Sequence, residues 1–304
     1  MIMIKNKLIY FPLLLIVLFI TSSLQAQDSF SVVSANVLNP QSQKVLVVSH
    51  RGDWRNAPEN SLQAIKNAIE MRVDVVEIDI KKTKDGQLVL MHDAKVDRTT
   101  DGKGYVSDYL FDDIRKLYLK NGLGRTTFHS IPTLEEALIL CKGKIWVNID
   151  KGYEYMSEVY DLMEKTGTSQ QVILKSGIDY EELFDKYKNI LTKGVYMPII
   201  NLNNDNAEKQ IEKFALYKPL AVECVFSKET PKVIELLGKI RKNGSKIWIN
   251  SLWASLCAGR DDDRAVELEE KDQTWGWMLE HGAKMIQTDR PKELIIFLDK
   301  KKRH

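Results

Sequence analysis

Eight short apolar runs, each followed by a stretch with helical spacing, constrain this chain more than any other feature. Runs near residues 45 and 74, and at 144–149, 171–175, 194–199, 220–225, 246–250 and 284–287, read as strands. Between them, 153–166, 180–190, 205–217, 231–242 and 270–281 read as helices, with a last one near 291–301. Two further helix starts carry explicit signals. Pro58-Glu59-Asn60-Ser61 precedes Leu62, Ile65, Ala68 and Ile69 at helical spacing, and Thr133 stands three residues before Glu136 as a capping box. Strands separated by helices pair in parallel, and eight of them favour an α/β chain closed as a (β/α)8 TIM barrel over an open sheet. No Gly-x-Gly-x-x-Gly follows the first strand and no Walker lysine motif occurs, so the sequence does not point to a dinucleotide or nucleoside triphosphate fold.

The segments outside this pattern divide the chain. Residues 1–26 run from a basic MIMIKNK through the apolar LIYFPLLLIVLFI to TSSLQA, which reads as a signal peptide. Export, to the periplasm in the first instance, is the expectation; full secretion or anchorage by an uncleaved leader are the alternatives. Residues 27–44, rich in Ser, Asn and Gln, read as a linker, and 45–304 as the barrel domain. Residues 94–131 break the alternation after the second barrel strand and read as a small loop insertion or lid with a short helix around Tyr109 to Lys116, Gly122-Leu123-Gly124 serving turns. Without Lys5 and Lys7 the 44 basic residues fall to 42, equal to the 42 acidic ones, so the mature chain has no net charge to attract nucleic acid. Cys141, Cys224 and Cys257 are odd in number, which leaves at least one outside any intramolecular pair, and Cys141 and Cys224, in apolar contexts, read as buried free thiols rather than a metal cluster. No amphipathic membrane-entry helix is evident in the mature chain, and the oligomeric state is not encoded in any recognisable way.

Chemistry concentrates where strands end. Glu77 and Asp79 are two apart in a strand and leave the same face, and Asn148 and Asp150 do so in the next barrel strand. Glu77, Asp79 and Asp150 can therefore converge as oxygen ligands of one hard divalent cation, Ca²⁺ or Mg²⁺. Such an ion, with Arg51 as a fixed cationic fork and Lys175 as a more mobile charge, suits a phosphodiester. His50 and His92 flank the acids in sequence and read as a base and acid pair, with the order between them open. Glu223 and Trp248, at the ends of strands six and seven, are candidate contacts to the polar head group, Trp248 weighing equally as core. Glu59 and Asn60 are open between site and helix-start roles. Asp261, Asp262 and Asp263 read more readily as a solvated turn than as a second cation site, and His129, His281 and His304 as structural or surface residues.

The ordered motifs HRG at 50–52, PENS at 58–61, EID at 77–79, HD at 92–93, PTLEEAL at 132–138 and TDRP at 288–291 resemble the glycerophosphodiester phosphodiesterase family. That family shares its barrel with the phosphatidylinositol-specific phospholipases. The resemblance implies metal-dependent hydrolysis of a small-molecule glycerophosphodiester to glycerol 3-phosphate and an alcohol. It matches Glu77 and Asp79 to metal ligands, His50 and His92 to the catalytic pair, and Arg51 to the phosphate contact. Asp150-Lys151 stands where the family commonly has a glutamate with a lysine two places on, and Trp248-x-Asn250 resembles the late Trp-x-Asn strand. A phospholipase C-like or sphingolipid phosphodiesterase, or a non-catalytic phosphodiester- or polyol-binding protein, are the competing functions.

Overall fold

The computed structural model describes residues 30–304; the leader at 1–26 lies outside the described residues. The chain opens with α1 (30–38), β1 (Leu46–Ser49), α2 (Leu62–Glu70), β2 (Val75–Lys82) and β3 (Leu88–Leu90). The insertion contributes α3 (Phe111–Ile114), β4 (Tyr118–Lys120) and β5 (Thr126–Ser130). Regular alternation then resumes with α4 (Leu134–Cys141), β6 (Trp146–Asp150), α5 (Met156–Thr166), β7 (Val172–Ser176), α6 (Tyr180–Leu191) and β8 (Val195–Asn201). It ends with α7 (Ala207–Tyr217), β9 (Ala221–Val225), α8 (Pro231–Lys242), β10 (Lys246–Asn250), α9 (Asp262–Val266), α10 (Trp277–Glu280), β11 (Ala283–Thr288) and α11 (Pro291–Lys300).

All eight expected strands form. β1 pairs in parallel with both β11 and β2, which closes β1-β2-β6-β7-β8-β9-β10-β11 into a barrel. Asp85-Gly86 turns the chain back, so β3 lies antiparallel on β2 with Ile80 opposite Leu90. The helices bury apolar faces against the outside of the barrel in one continuous core that runs from Ile65 and Leu138 to Phe214, Leu236 and Leu298. The capping box at Thr133 is present in both directions: its side chain accepts from Glu136 N, and the Glu136 carboxylate accepts from Thr133 N.

Two segments depart from expectation. The insertion is more structured than a loop: β4 and β5 form an antiparallel hairpin, and Val96, Val106, Ile114, Leu119 and Ile131 make a small core of their own against Val89 and Met91. More consequential is 30–38, which forms a helix inside the stretch read as a linker. Phe30, Val33 and Val37 recur at helical spacing and pack on Leu46, Trp146, Ile173, Trp248 and Met285, the apolar layer inside the barrel at its amino-terminal end. Ser34 Oγ accepts from Trp146 Nε1 at 2.9 Å. Lys246 Nζ donates to Val37 O at 2.8 Å and Asn39 O at 2.5 Å, satisfying carbonyls that the end of α1 leaves open. The floor of the barrel is thus closed by a helix. Trp146→Ala, which removes both the packing and the Ser34 bond, is expected to cost about 3–5 kcal/mol of stability in chemical denaturation; a loss under about 1 kcal/mol would mean α1 adds little.

Candidate active site

The site stands at the carboxyl ends of the strands. The parallel register sets Glu77 beside Asn148 and Asp79 beside Asp150, so period-two alternation carries all three acids to the barrel interior. A ligand oxygen from each of Glu77, Asp79 and Asp150 lies within 4.8 Å of the others. Glu77 is buried, and its carboxyl is pushed well above the usual range, first by burial and then by the neighbouring Asp79 and Asp150 charges. Its Oε2 accepts from Arg51 N at 2.8 Å, whereas buried Oε1 has no hydrogen-bond partner. Asp79 is held in a reciprocal pair: Asn60 Nδ2 donates to its Oδ2 and its own backbone N donates to Asn60 Oδ1, each at 3.0 Å. Three converging acids with one orphaned oxygen are the donor set of a hard divalent ion, and Glu77, Asp79 and Asp150 would hold it.

Proton competition follows from that arrangement. Because Glu77 keeps its proton to higher pH than an ordinary carboxyl, a divalent ion held there would have to displace it, and affinity should rise with pH until that carboxyl is ionised. Calorimetric titrations in buffers of different ionisation enthalpy should register proton release; a pH-independent affinity would contradict it.

Strained backbone aims the first loop. Arg51 and Gly52 are consecutive left-handed residues, with φ of 53° and 75°. A Cβ on Gly52 would come within 2.8 Å of Ala64, so glycine is required on both counts. This turn points Arg51 N at Glu77. The Arg51 guanidinium bonds Glu59 Oε1 at 3.0 Å and lies 3.4 Å from Asp79 Oδ2. Asn60 and Lys151, also left-handed at φ 57° and 56°, flank the same cluster.

Each histidine is anchored through Nδ1 to a carboxylate. His50 pairs with Asp289 at 2.8 Å, and Trp54 Nε1 donates to the same Asp289 oxygen at 2.6 Å. Burial alone would raise the Asp289 pKa, but the His50 bond leads the interactions that outweigh it and hold it low. His92 pairs with Asp93 at 2.6 Å, and its Nε2 lies 2.7 Å from Lys151 Nζ. An ammonium has only donors, so His92 Nε2 is the acceptor and Nδ1 carries the proton. Burial, ahead of all other effects, lowers the His92 pKa, and the Arg51 and Lys151 charges add to it. Arg98 from the insertion clasps both Asp93 and Glu59, with Nε 2.7 Å from Asp93 and Nη1 2.6 Å from Glu59. The Arg98 clasp and Asp289 were not read from sequence as site features. Asp289 lies within the TDRP motif, but its bond to His50 spans 239 positions.

The candidate head-group residues separate. Lys175, only 2% exposed, bonds Glu223 Oε2 at 3.0 Å and lies 3.3 Å from Asp150 Oδ2, so it belongs to the acid cluster. Burial alone would lower its pKa, but Asp150, Glu223 and Glu77 outweigh this and raise it. Glu223 in turn accepts from Asn250. Trp248 has 0% exposure and donates to Asn250 Oδ1; period two puts it one interior layer below Asn250, where a substrate has no access. The aromatic rings on the open cleft are instead Trp54 and Trp253, the latter 46% exposed with its ring 6.0 Å from His50. The cleft is a cavity of about 350 Å³ between the barrel mouth and the insertion, which supplies Arg98, Lys120 and Gly122 to its wall.

The acidic run after β10 also departs from expectation. Asp262 is not solvated: it is buried and accepts from Ser251 Oγ, Trp275 Nε1, Thr288 Oγ1 and Asp289 N. Burial pushes its carboxyl up to about 7 against the pull of these donors. Asp263 is exposed. Cys141 and Cys224 are buried and free, as expected, and so is Cys257. His281 bonds and stacks on Trp277, the His129 ring lies tilted against Phe128, His304 pairs with Asp74, and none of the three lines the cleft.

With this geometry in place, comparison with known proteins decides the family. Residues 50–207 match the description "Glycerophosphoryl diester phosphodiesterase family". The chain belongs to the glycerophosphoryl diester phosphodiesterase family. Residues 196–298 also match a domain of unknown function, so the carboxyl half falls under a second description. Among curated relatives of the family, a glycerophosphodiester phosphodiesterase of Caldanaerobacter subterraneus is 45% identical over 109 residues, 35% of this chain and 45% of that protein. The match thus spans less than half of that relative. YhdW of Bacillus subtilis, assigned by name to the same phosphodiesterases, is 32% identical over 210 residues, covering 66% of this chain and 84% of YhdW. A crystal structure of a family protein from Parabacteroides distasonis superposes with a TM-score of 0.74 at 23% identity, over 89% of this chain and 92% of that one, which supports the closed barrel.

Proposed function

We propose that the protein hydrolyses glycerophosphodiesters to glycerol 3-phosphate and the head-group alcohol. One observation carries the reading: three carboxylates and two carboxylate-anchored imidazoles meet at one barrel mouth in a chain of this family. Glu77, Asp79 and Asp150 would hold Ca²⁺ or Mg²⁺, which when bound would supply neutralisation and orientation of the phosphodiester. Arg51 contributes a fixed positive charge beside the same oxygens.

The histidine geometry suggests an order. His92 Nε2 is held as an acceptor, so it takes the proton of the attacking hydroxyl, which replaces Lys151 as its partner. His50, with Nδ1 fixed by Asp289, presents Nε2 to donate a proton to the departing alkoxide. With the substrate's own glycerol hydroxyl as nucleophile, the new oxygen–phosphorus bond closes a cyclic phosphate as the bond to the head-group oxygen breaks. One water then attacks phosphorus, giving its proton to His50, while the ring P–O bond breaks and its oxygen takes the proton held by His92, which leaves glycerol 3-phosphate and both rings as they began. Asp93, clasped by Arg98, and Asp289, braced by Trp54, orient the two rings.

The reading extends to location. Residues 1–26 have the basic, apolar and small-residue order of an export signal, so the site works outside the cytoplasm, in the periplasm. Among the described residues no helix is long and apolar enough to cross a membrane.

The deciding experiment is a panel of glycerophosphodiesters, among them glycerophosphocholine and glycerophosphoethanolamine, offered to the purified protein with EDTA, Ca²⁺ or Mg²⁺. Metal-dependent release of glycerol 3-phosphate is expected. Turnover of intact phospholipid alone would favour the phospholipase C-like alternative, and tight binding with no turnover a binding protein.

A further inference from the structure

A second cavity, of about 240 Å³, opens at the opposite end of the barrel from the catalytic mouth. Arg241, Lys246, Lys284 and Arg303 line it, and among the described residues no acidic side chain does. The four stand on four different parts of the fold. Arg241 is in the last turn of α8, Lys246 and Lys284 begin β10 and β11, and Arg303 follows α11. The loop between α1 and β1, residues 40–43, completes the wall.

Ordinary structural roles account for part of this set. Lys246 is spent on the carbonyls of Val37 and Asn39. Arg241 suits the carboxyl end of its helix, and its stem packs 3.5 Å from where a Cβ on Gly282 would stand. Neither role explains why Lys284 and Arg303 converge on the same space. Lys284 has only Gln43 Oε1, at 3.3 Å, as a polar partner, and Arg303 Nε is buried with none. Burial first, and then the neighbouring Arg303 and Arg241 charges, oppose the ionised state of Lys284 and lower its pKa. Like charges gathered in a recess without a counter-charge favour an anion that brings one.

We propose that this recess is a binding site for a phosphate-class anion, distinct from the catalytic centre. Its volume admits a phosphate group with water or a short ester. Arginine forks and a lysine ammonium are the donors that such oxygens take. The anion is either free in solution or the phosphate of an anionic lipid head group, which offer these donors the same oxygens.

Two probes separate these sources: inorganic phosphate titrated into the full chain at constant ionic strength, and co-sedimentation with phosphatidylglycerol vesicles against phosphatidylcholine ones. The double variant Arg241→Gln/Lys284→Gln touches neither the acids nor the histidines. It is expected to lose about tenfold or more in affinity while diester turnover stays within about twofold of the parent. Loss of phosphate binding identifies a free anion, and loss of vesicle binding alone a lipid head group. Should the double variant fold poorly, Lys284→Gln alone is expected to weaken the same binding about threefold. The proposal is overturned if the parent binds neither probe, or if binding survives unchanged in the folded variants.

Discussion

Glu77→Gln is expected to reduce kcat/KM at least about 10³-fold, roughly 4 kcal/mol of transition-state stabilisation, while leaving the metal-free protein as stable as the parent or more so. Both halves come from the same observation. Ionised Glu77 is buried beside two other acids, with one oxygen unpartnered, and its raised pKa means that holding the charge works against the fold. The sign is fixed by linkage: a carboxyl with a raised pKa contributes stability that is complete at low pH and lost as pH rises through its folded-state value. A neutral glutamine removes that loss. Thermal midpoints in EDTA should therefore rise or hold, whereas the stabilisation that Ca²⁺ or Mg²⁺ gives the parent should vanish. An unstable Glu77→Gln protein, or one still stabilised by the ion, would remove Glu77 from the ligand set.

His92→Ala and His50→Ala are each expected to lower turnover by about 10²–10⁴-fold with little change in unfolding midpoint. The two should differ in a second measurement. If His92 is the base and His50 the acid, a substrate whose leaving group is a stabilised phenolate needs little protonation, so it should recover much of the rate in His50→Ala and little in His92→Ala. Recovery in the opposite variant would exchange the roles, and near-parental turnover in both would end the acid–base account.

The eight barrel strands could be read because each is a short apolar run bounded by polar or turn residues, and a period of two needs no distant information. The same period located Glu77, Asp79 and Asp150. What stayed hidden depends on packing. α1 has Phe30, Val33 and Val37 on one face, but Ser, Asn and Gln around it gave the composition of a linker, and only the open floor of the barrel makes three apolar residues sufficient. β5, Thr126–Ser130, is polar and mostly half-exposed, so nothing in its pattern announces a strand. Trp248 stood open between head group and core, and Asp262 was misplaced, each for one reason. Local sequence tells which face a side chain leaves from, not how deep the neighbouring layer runs, and a triple aspartate looks solvated until four donors are seen around one member. Asp289 and Arg98 act through partners far along the chain, and spacing alone cannot reveal them.

Asp262 ties the segment after β10 to Thr288 and to the backbone of Asp289, the residue that steadies His50. That segment also carries Trp253, which overhangs the cleft. Remodelling it to widen the cleft would therefore disturb the Asp289–His50 pair unless the aspartate anchor were preserved. A freer route to a differently shaped cleft runs through the hairpin on the other wall, where Lys120 and Gly122 line the cavity without holding either imidazole.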